Sequence, residues 1–165
     1  MIGLSLGIVI FFSGGSGRQI RDVQPFPQIG KEFPAFELET LDGTKLGLEY
    51  FSNRPVIINF WATWCEPCKE EMPLLEAYAN RYSEISIIGI NYDEPLQIVR
   101  RFVDDHEITF YILMDPGGKI SNQFKVFGFP TTFFIDAEGI LQSNHIGQLN
   151  EQLMDLYLEQ IGIKP

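Results

Sequence analysis

The period of apolar and polar positions changes several times along the chain, and each change predicts an element. Phe36-Glu37-Leu38-Glu39 alternates apolar with acidic residues, Asp42-Gly43 offers a hairpin turn, and Lys45 to Leu48 forms the returning strand. Val56 to Trp61 (VIINFW) is almost continuously apolar, the pattern of a strand covered on both faces. A helix is predicted from Cys65 to Tyr82, because Met72, Leu75, Ala79 and Tyr82 recur at helical spacing. Ile85 to Ile90 reads as a second buried strand. Pro95 to Asp105 follows as a helix with Ile98, Val99 and Phe102 on one face, then Phe110 to Met114 as a short strand and Ile120 to Phe124 as a short helix. Thr131 to Ile135 and Ile140 to Ile146 flank Asp136-Ala137-Glu138-Gly139, a second hairpin, and Leu149 to Ile161 closes the chain as an amphipathic helix. Strands alternating with helices, then a late hairpin, predict an α/β domain built on a central mixed β-sheet.

Before Phe36 the pattern is different. Ile2 to Phe12 is apolar apart from Gly3, Ser5 and Gly7, and it would cover only about half of a bilayer core. Its length suits the apolar core of a signal peptide, although no cationic residue precedes it and Arg18 and Arg21 follow it. We read it as a remnant of a targeting or anchoring segment, with an unstructured leader as the alternative. Ser13 to Gly17 is a flexible Gly/Ser link, and Pro25, Pro27 and Pro34 favour an extended approach. This divides the chain into an N-terminal segment and linker, residues 1–33, and one domain, residues 34–165.

Length and composition fit that division. The chain has 165 residues, 45% hydrophobic and 21% charged, with fourteen Phe to fill a core. Its net charge of −10 argues against a nucleic-acid partner, since phosphate binding relies on clustered cations. The adjacent pair Arg100-Arg101 reads as a solvated helix face.

The two cysteines, Cys65 and Cys68, exclude a multi-disulfide scaffold. They also leave no second pair for a four-ligand zinc site, and Lys69 stands where covalent haem attachment needs His. Neither metal nor cofactor is expected; a redox dithiol is. The run Phe60-Trp61-Ala62-Thr63-Trp64-Cys65-Glu66-Pro67-Cys68 joins a buried strand to a helix. A cysteine at a helix N-terminus faces unpaired N–H groups and the positive end of the helix dipole, which favour thiolate. Cys65 is therefore the candidate attacking sulfur, and Cys68, one turn on, the resolving one. Pro67 stiffens a turn whose N–H has no helical acceptor.

The motif FWATWCEPC, with Pro73 later in the helix and Gly128-Phe129-Pro130-Thr131 downstream, resembles the TlpA/ResA branch of the thioredoxin superfamily. The resemblance spans roughly Pro34 to Ile161. It implies a thioredoxin-like fold in which an N-terminal β-hairpin and an inserted helix–strand element, within Asn91 to Met114, flank the sheet. Under it, Pro130 is a cis-proline beside the dithiol, the Phe129 backbone pairs with an extended substrate, and Glu71 is an acidic group near the sulfurs. It further implies an extracytoplasmic monomer, membrane-anchored or exported, that reduces protein disulfides in cytochrome c maturation and is recharged by a membrane dithiol donor. Asn59 stands where thioredoxin itself has a buried Asp, which removes one proton acceptor.

Each residue also has a plainer reading. Glu71, three positions after Cys68, shares its helix face and could take the Cys68 proton or merely be solvated. Pro73 suggests a kink, Trp61 core, Thr131 a strand position, and Trp64 a contact for the partner. Glu66, Glu70 and Glu71 oppose a thiolate and Lys69 offsets part of that, so we expect a reductant. Two alternatives remain: a peroxiredoxin-like thiol peroxidase, which expects Thr where Ala62 stands, and a thioredoxin-fold interaction module without catalysis.

Overall fold

The computed structural model describes residues 26–165. Ile2 to Phe12 and the Gly/Ser link, with the targeting reading attached to them, lie outside the described residues. Among the described residues no helix is long and apolar enough to cross a membrane.

The apolar run Val56–Trp61 forms β3, buried at every position. It pairs in parallel with β4 (Ser86–Tyr92) and antiparallel with β6 (Thr131–Ile135). Beyond β4 lie parallel β5 (Tyr111–Asp115) and then the predicted hairpin, β1 (Glu37–Thr40) and β2 (Lys45–Gly47). β7 (Leu141–Ile146) forms the opposite edge, giving the order β2-β1-β5-β4-β3-β6-β7. The mixed sheet, the hairpin and the inserted helix–strand element are all present as expected.

Strand parity divides the core. Ile57 and Trp61 of β3 and Phe134 of β6 face α1 (Glu66–Arg81), α2 (Leu96–Asp105) and α4 (Glu151–Gln160). Ile58 and Phe60 face the other way, onto Phe33, Phe36 and the segment after α3 (Lys119–Gln123). Asn59 has the parity of Ile57 and Trp61, so a polar side chain is driven into the face beneath α1. Thr132, its register partner on β6, shares that face with Phe134.

The boundaries move where capping or turns decide them. Leu48–Phe51 forms a 3₁₀ turn that buries Phe51, so β2 stops at Gly47. α4 begins at Glu151 rather than Leu149, because the Asn150 side chain accepts the Leu153 N–H at 2.9 Å and caps the helix. The packed body also starts ahead of the expected boundary at residue 34. The Gly30 N–H donates to the Leu141 carbonyl at 2.7 Å, and Phe33 is 3% exposed. Arg100 and Arg101 lie on the exposed face of α2, where Arg100 donates to the Leu41 carbonyl.

Gly118 couples this frame to the site. It sits at φ +60°, and a Cβ there would run into the Tyr92 ring, which in turn contacts Phe129. Gly118→Ala is expected to destabilise the fold by about 2 kcal/mol or more, read as a lower midpoint in urea.

Candidate functional site

β3 ends at Trp61, and the Cys65 N–H donates back to the Ala62 carbonyl at 3.2 Å, closing a turn. Cys65 is the N-cap of α1, with extended backbone, and its Sγ accepts the Cys68 N–H at 3.3 Å. A capping sulfur takes the place of the usual capping oxygen and meets an orphan donor of the first turn. Cys65 and Cys68 form a disulfide, their Cα atoms 5.3 Å apart. Cys68 is fully buried and Cys65 keeps 6% of its surface, so an incoming group meets Cys65 first. Pro67 lies in the first turn, and Pro73 is exposed inside a helix that continues past it.

Glu71 is not solvated. It is 1% exposed, one turn beyond Cys68, on the face that α1 turns to the sheet. Its Oε1 accepts the Asn59 amide at 2.6 Å and its Oε2 the Leu149 N–H at 2.5 Å. Asn59 also donates to Thr132 Oγ1 at 3.0 Å. Burial dominates over both donors and pushes the Glu71 carboxyl from 4.5 up to about 7. Asn59, where an acid might have stood, therefore orients an acid on the facing helix.

Downstream, the Phe129–Pro130 peptide is cis. The Pro130 carbonyl accepts the Gly147 N–H at 2.8 Å, and Thr131 Oγ1 donates to the Gly128 carbonyl at 2.7 Å. No backbone hydrogen bond within the described residues uses the Phe129 N–H or carbonyl. The Phe129 ring meets Trp64 edge-on at 5.8 Å and Tyr92 at 5.1 Å, joining the loop before Cys65 to the loop before Pro130. Trp64 is 62% exposed, whereas Trp61 is wholly in the core. Beside Pro130 an open groove of about 520 Å³ includes Ile29, Phe127, Thr131 and Ile146 in its walls.

The charges differ from a count along the sequence. Lys69 Nζ lies 2.5 Å from Glu66, so its charge is committed to that carboxylate rather than to a sulfur. Glu71, with its carboxyl near 7, does not carry a full negative charge at neutral pH. Sequence reasoning missed Thr132, the Leu149 N–H and Glu94, whose carboxylate binds Thr63 two residues before Cys65. The parity of β6 could have flagged Thr132; the other two depend on long-range packing. Among the described residues, no cluster of His, Cys, Asp and Glu is placed to hold a metal ion.

Comparison with known proteins gives relatives by sequence and by fold. The AhpC/TSA family matches residues 29–144. The thioredoxin-like protein YneN of Bacillus subtilis is 35% identical over 136 residues, covering 80% of this chain and 79% of its own. The thiol-disulfide oxidoreductase ResA of Bacillus cereus is 36% identical over 136 residues, covering 81% and 79%. Among solved structures, a protein described as thiol:disulfide interchange protein DsbE from Chlorobium tepidum superposes with a TM-score of 0.76 at 26% identity, over 82% of this chain and 99% of that one. StoA from Bacillus subtilis gives 0.65 at 21% identity, over 79% and 98%. The fold is that of thioredoxin.

The raised Glu71 carboxyl makes stability depend on pH. The folded state holds this proton more tightly than the unfolded chain, so the contribution is full below about pH 4.5 and is lost as pH rises through about 7. In urea unfolding, wild type should lose about 3 kcal/mol relative to Glu71→Gln between about pH 4 and pH 8.

Proposed function

The chain belongs to the AhpC/TSA family, in its ResA-like thiol–disulfide oxidoreductase branch, and from that premise we propose that it reduces protein disulfides through Cys65, Cys68 and Glu71. The observation that carries the reading is Glu71: a carboxylate out of water, one helical turn behind Cys68, with its carboxyl raised to about 7.

In the reduced protein the Cys65 thiolate attacks one sulfur of a partner disulfide. A mixed disulfide forms and the partner's other sulfur leaves as thiolate. Glu71 takes the Cys68 proton, and the Cys68 thiolate then attacks Cys65 Sγ. This forms the Cys65–Cys68 bond, breaks the mixed disulfide and releases the partner's second thiolate. The partner gains two electrons and the protein loses two, which a dithiol donor restores.

Trp64 and Phe129 supply the aromatic contact for the partner, and the Phe129 backbone before Pro130, unpaired among the described residues, offers it a strand edge. Asn59 and Thr131 hold the two sides of the site in place, and Pro67 and Pro73 shape α1. The ResA likeness and the apolar run Ile2 to Phe12 support an extracytoplasmic place, with cytochrome c maturation as the setting, a membrane protein as dithiol donor and the chain acting as a monomer. Ala62, in place of Thr, counts against the peroxidase alternative.

The reduced protein should convert a disulfide-bonded C-x-x-C-H peptide to its dithiol, Cys68→Ser should stall as a mixed disulfide through Cys65, and hydrogen peroxide should be consumed negligibly. A glutathione equilibrium that ranks the pair with strong oxidants would overturn the direction. Glu71→Gln should slow the resolving step about 10- to 100-fold. It should also abolish the rise in that step's rate as pH increases through about 7, as followed by quenched-flow mass spectrometry, because only the ionised carboxylate accepts the proton.

A further inference from the structure

The turn that presents Cys65 is fastened by a residue outside the motif. Glu94 lies in the connection between β4 and α2, within the inserted helix–strand element. Its Oε2 accepts the Thr63 N–H at 2.7 Å and its Oε1 the Thr63 hydroxyl at 2.5 Å, so both oxygens grip one residue. The Asn91 amide donates to Oε2 at 2.8 Å and orients the carboxylate. Asn91 is the register partner of Trp61, where β3 ends, so the clamp is anchored at the mouth of the sheet. Asp93, at φ +47°, turns the chain back towards the site, and its Oδ1 accepts the Gly117 N–H at 2.7 Å.

Two consequences follow for Cys65. The carboxylate occupies the Thr63 N–H, one of the backbone donors at a turn that would otherwise favour an anion. It also places a negative charge against the residue two before the nucleophile. Lys69 does not offset it, because Lys69 is paired with Glu66. Near the turn along the chain, the other ionisable groups are Glu66, Glu70 and Glu71 in the first two turns of α1, Tyr92 at the end of β4 and Asp93 in the β4–α2 connection; Glu76, Tyr78 and Arg81 lie further along α1.

We infer that Glu94 is a positioning residue that fixes the Ala62–Cys65 turn and, through its charge, restrains ionisation of Cys65, keeping the dithiol reducing. The inference rests on the dithiol reading above and adds to it a role for the inserted element. A thiolate that is harder to form leaves the reduced pair less stabilised and the disulfide relatively more so.

The test measures the pH profile of Cys65 alkylation by iodoacetamide and the equilibrium of the pair with glutathione. Glu94→Gln removes the charge while keeping the shape of the side chain. It should lower the alkylation midpoint by about half to one pH unit, a threefold to tenfold gain in thiolate below the midpoint, and move the glutathione equilibrium towards the reduced pair. Thr63→Val removes the hydroxyl donor and leaves the carboxylate charge less neutralised, so its midpoint should rise. Thr63→Ser should behave as wild type.

General loosening of the turn would move Glu94→Gln and Thr63→Val in the same direction. That result, or an unmoved midpoint in Glu94→Gln, would overturn the inference. Both readouts use the dithiol itself with no partner protein, so they succeed or fail independently of the proposed substrate.

Discussion

Taking the Glu71 carboxylate out of water behind Cys68 costs free energy, and the Asn59 amide and Leu149 N–H offset only part of it. The remaining cost is what holds the carboxyl near neutrality, where it can both accept and return a proton. Three elements meet at this one group: α1 carries it, the β3–β6 pair presents Asn59 and Thr132 beneath it, and the approach to α4 supplies the backbone donor. A shift in any of them would leave a buried charge without a partner, so the surrounding packing is constrained more tightly than apolar contacts alone would require.

The two sulfurs differ because of where a helix starts. Cys65 caps α1 and Cys68 lies inside its first turn, so the same three-residue spacing leaves Cys65 with a small exposed fraction and Cys68 with none. The helix dipole and the free N–H groups favour a thiolate at Cys65, while the acidic surroundings oppose it. Lys69 is drawn to Glu66, and the Glu94 carboxylate is bound at Thr63, two residues before Cys65. The balance of those terms sets the direction of electron flow, and it is a local balance rather than a property of the overall charge of −10.

The aromatic row beside the motif is shared by segments far apart in sequence. Trp64 precedes the nucleophile, Phe129 precedes the cis-proline and Tyr92 ends β4, yet their rings touch in a row. Gly118 makes room for that row by lacking a Cβ beneath Tyr92. The inserted element thus reaches the site twice, through the Tyr92 ring and through the Glu94 carboxylate.

Much of this was written in the sequence. The continuous apolar run of β3, the alternation in β1 and the helical recurrence of Met72 and Leu75 each report a local period, and local periods are set by backbone geometry. The position of Cys65 between a buried strand and a helix was legible for the same reason, and with it the difference between the two sulfurs. What the chain order could not show was the fate of its carboxylates. Glu71 could have been a solvated helix residue, and only packing against Asn59 and Leu149 made it a buried acid. Glu94 gave no signal at all, because its bond to Thr63 spans thirty-one positions and exists only when β3 and β4 lie side by side. Periodicity fixes which face a residue occupies, but desolvation and long-range hydrogen bonds depend on what is brought against that face, and that is decided only when the sheet and helices close around it.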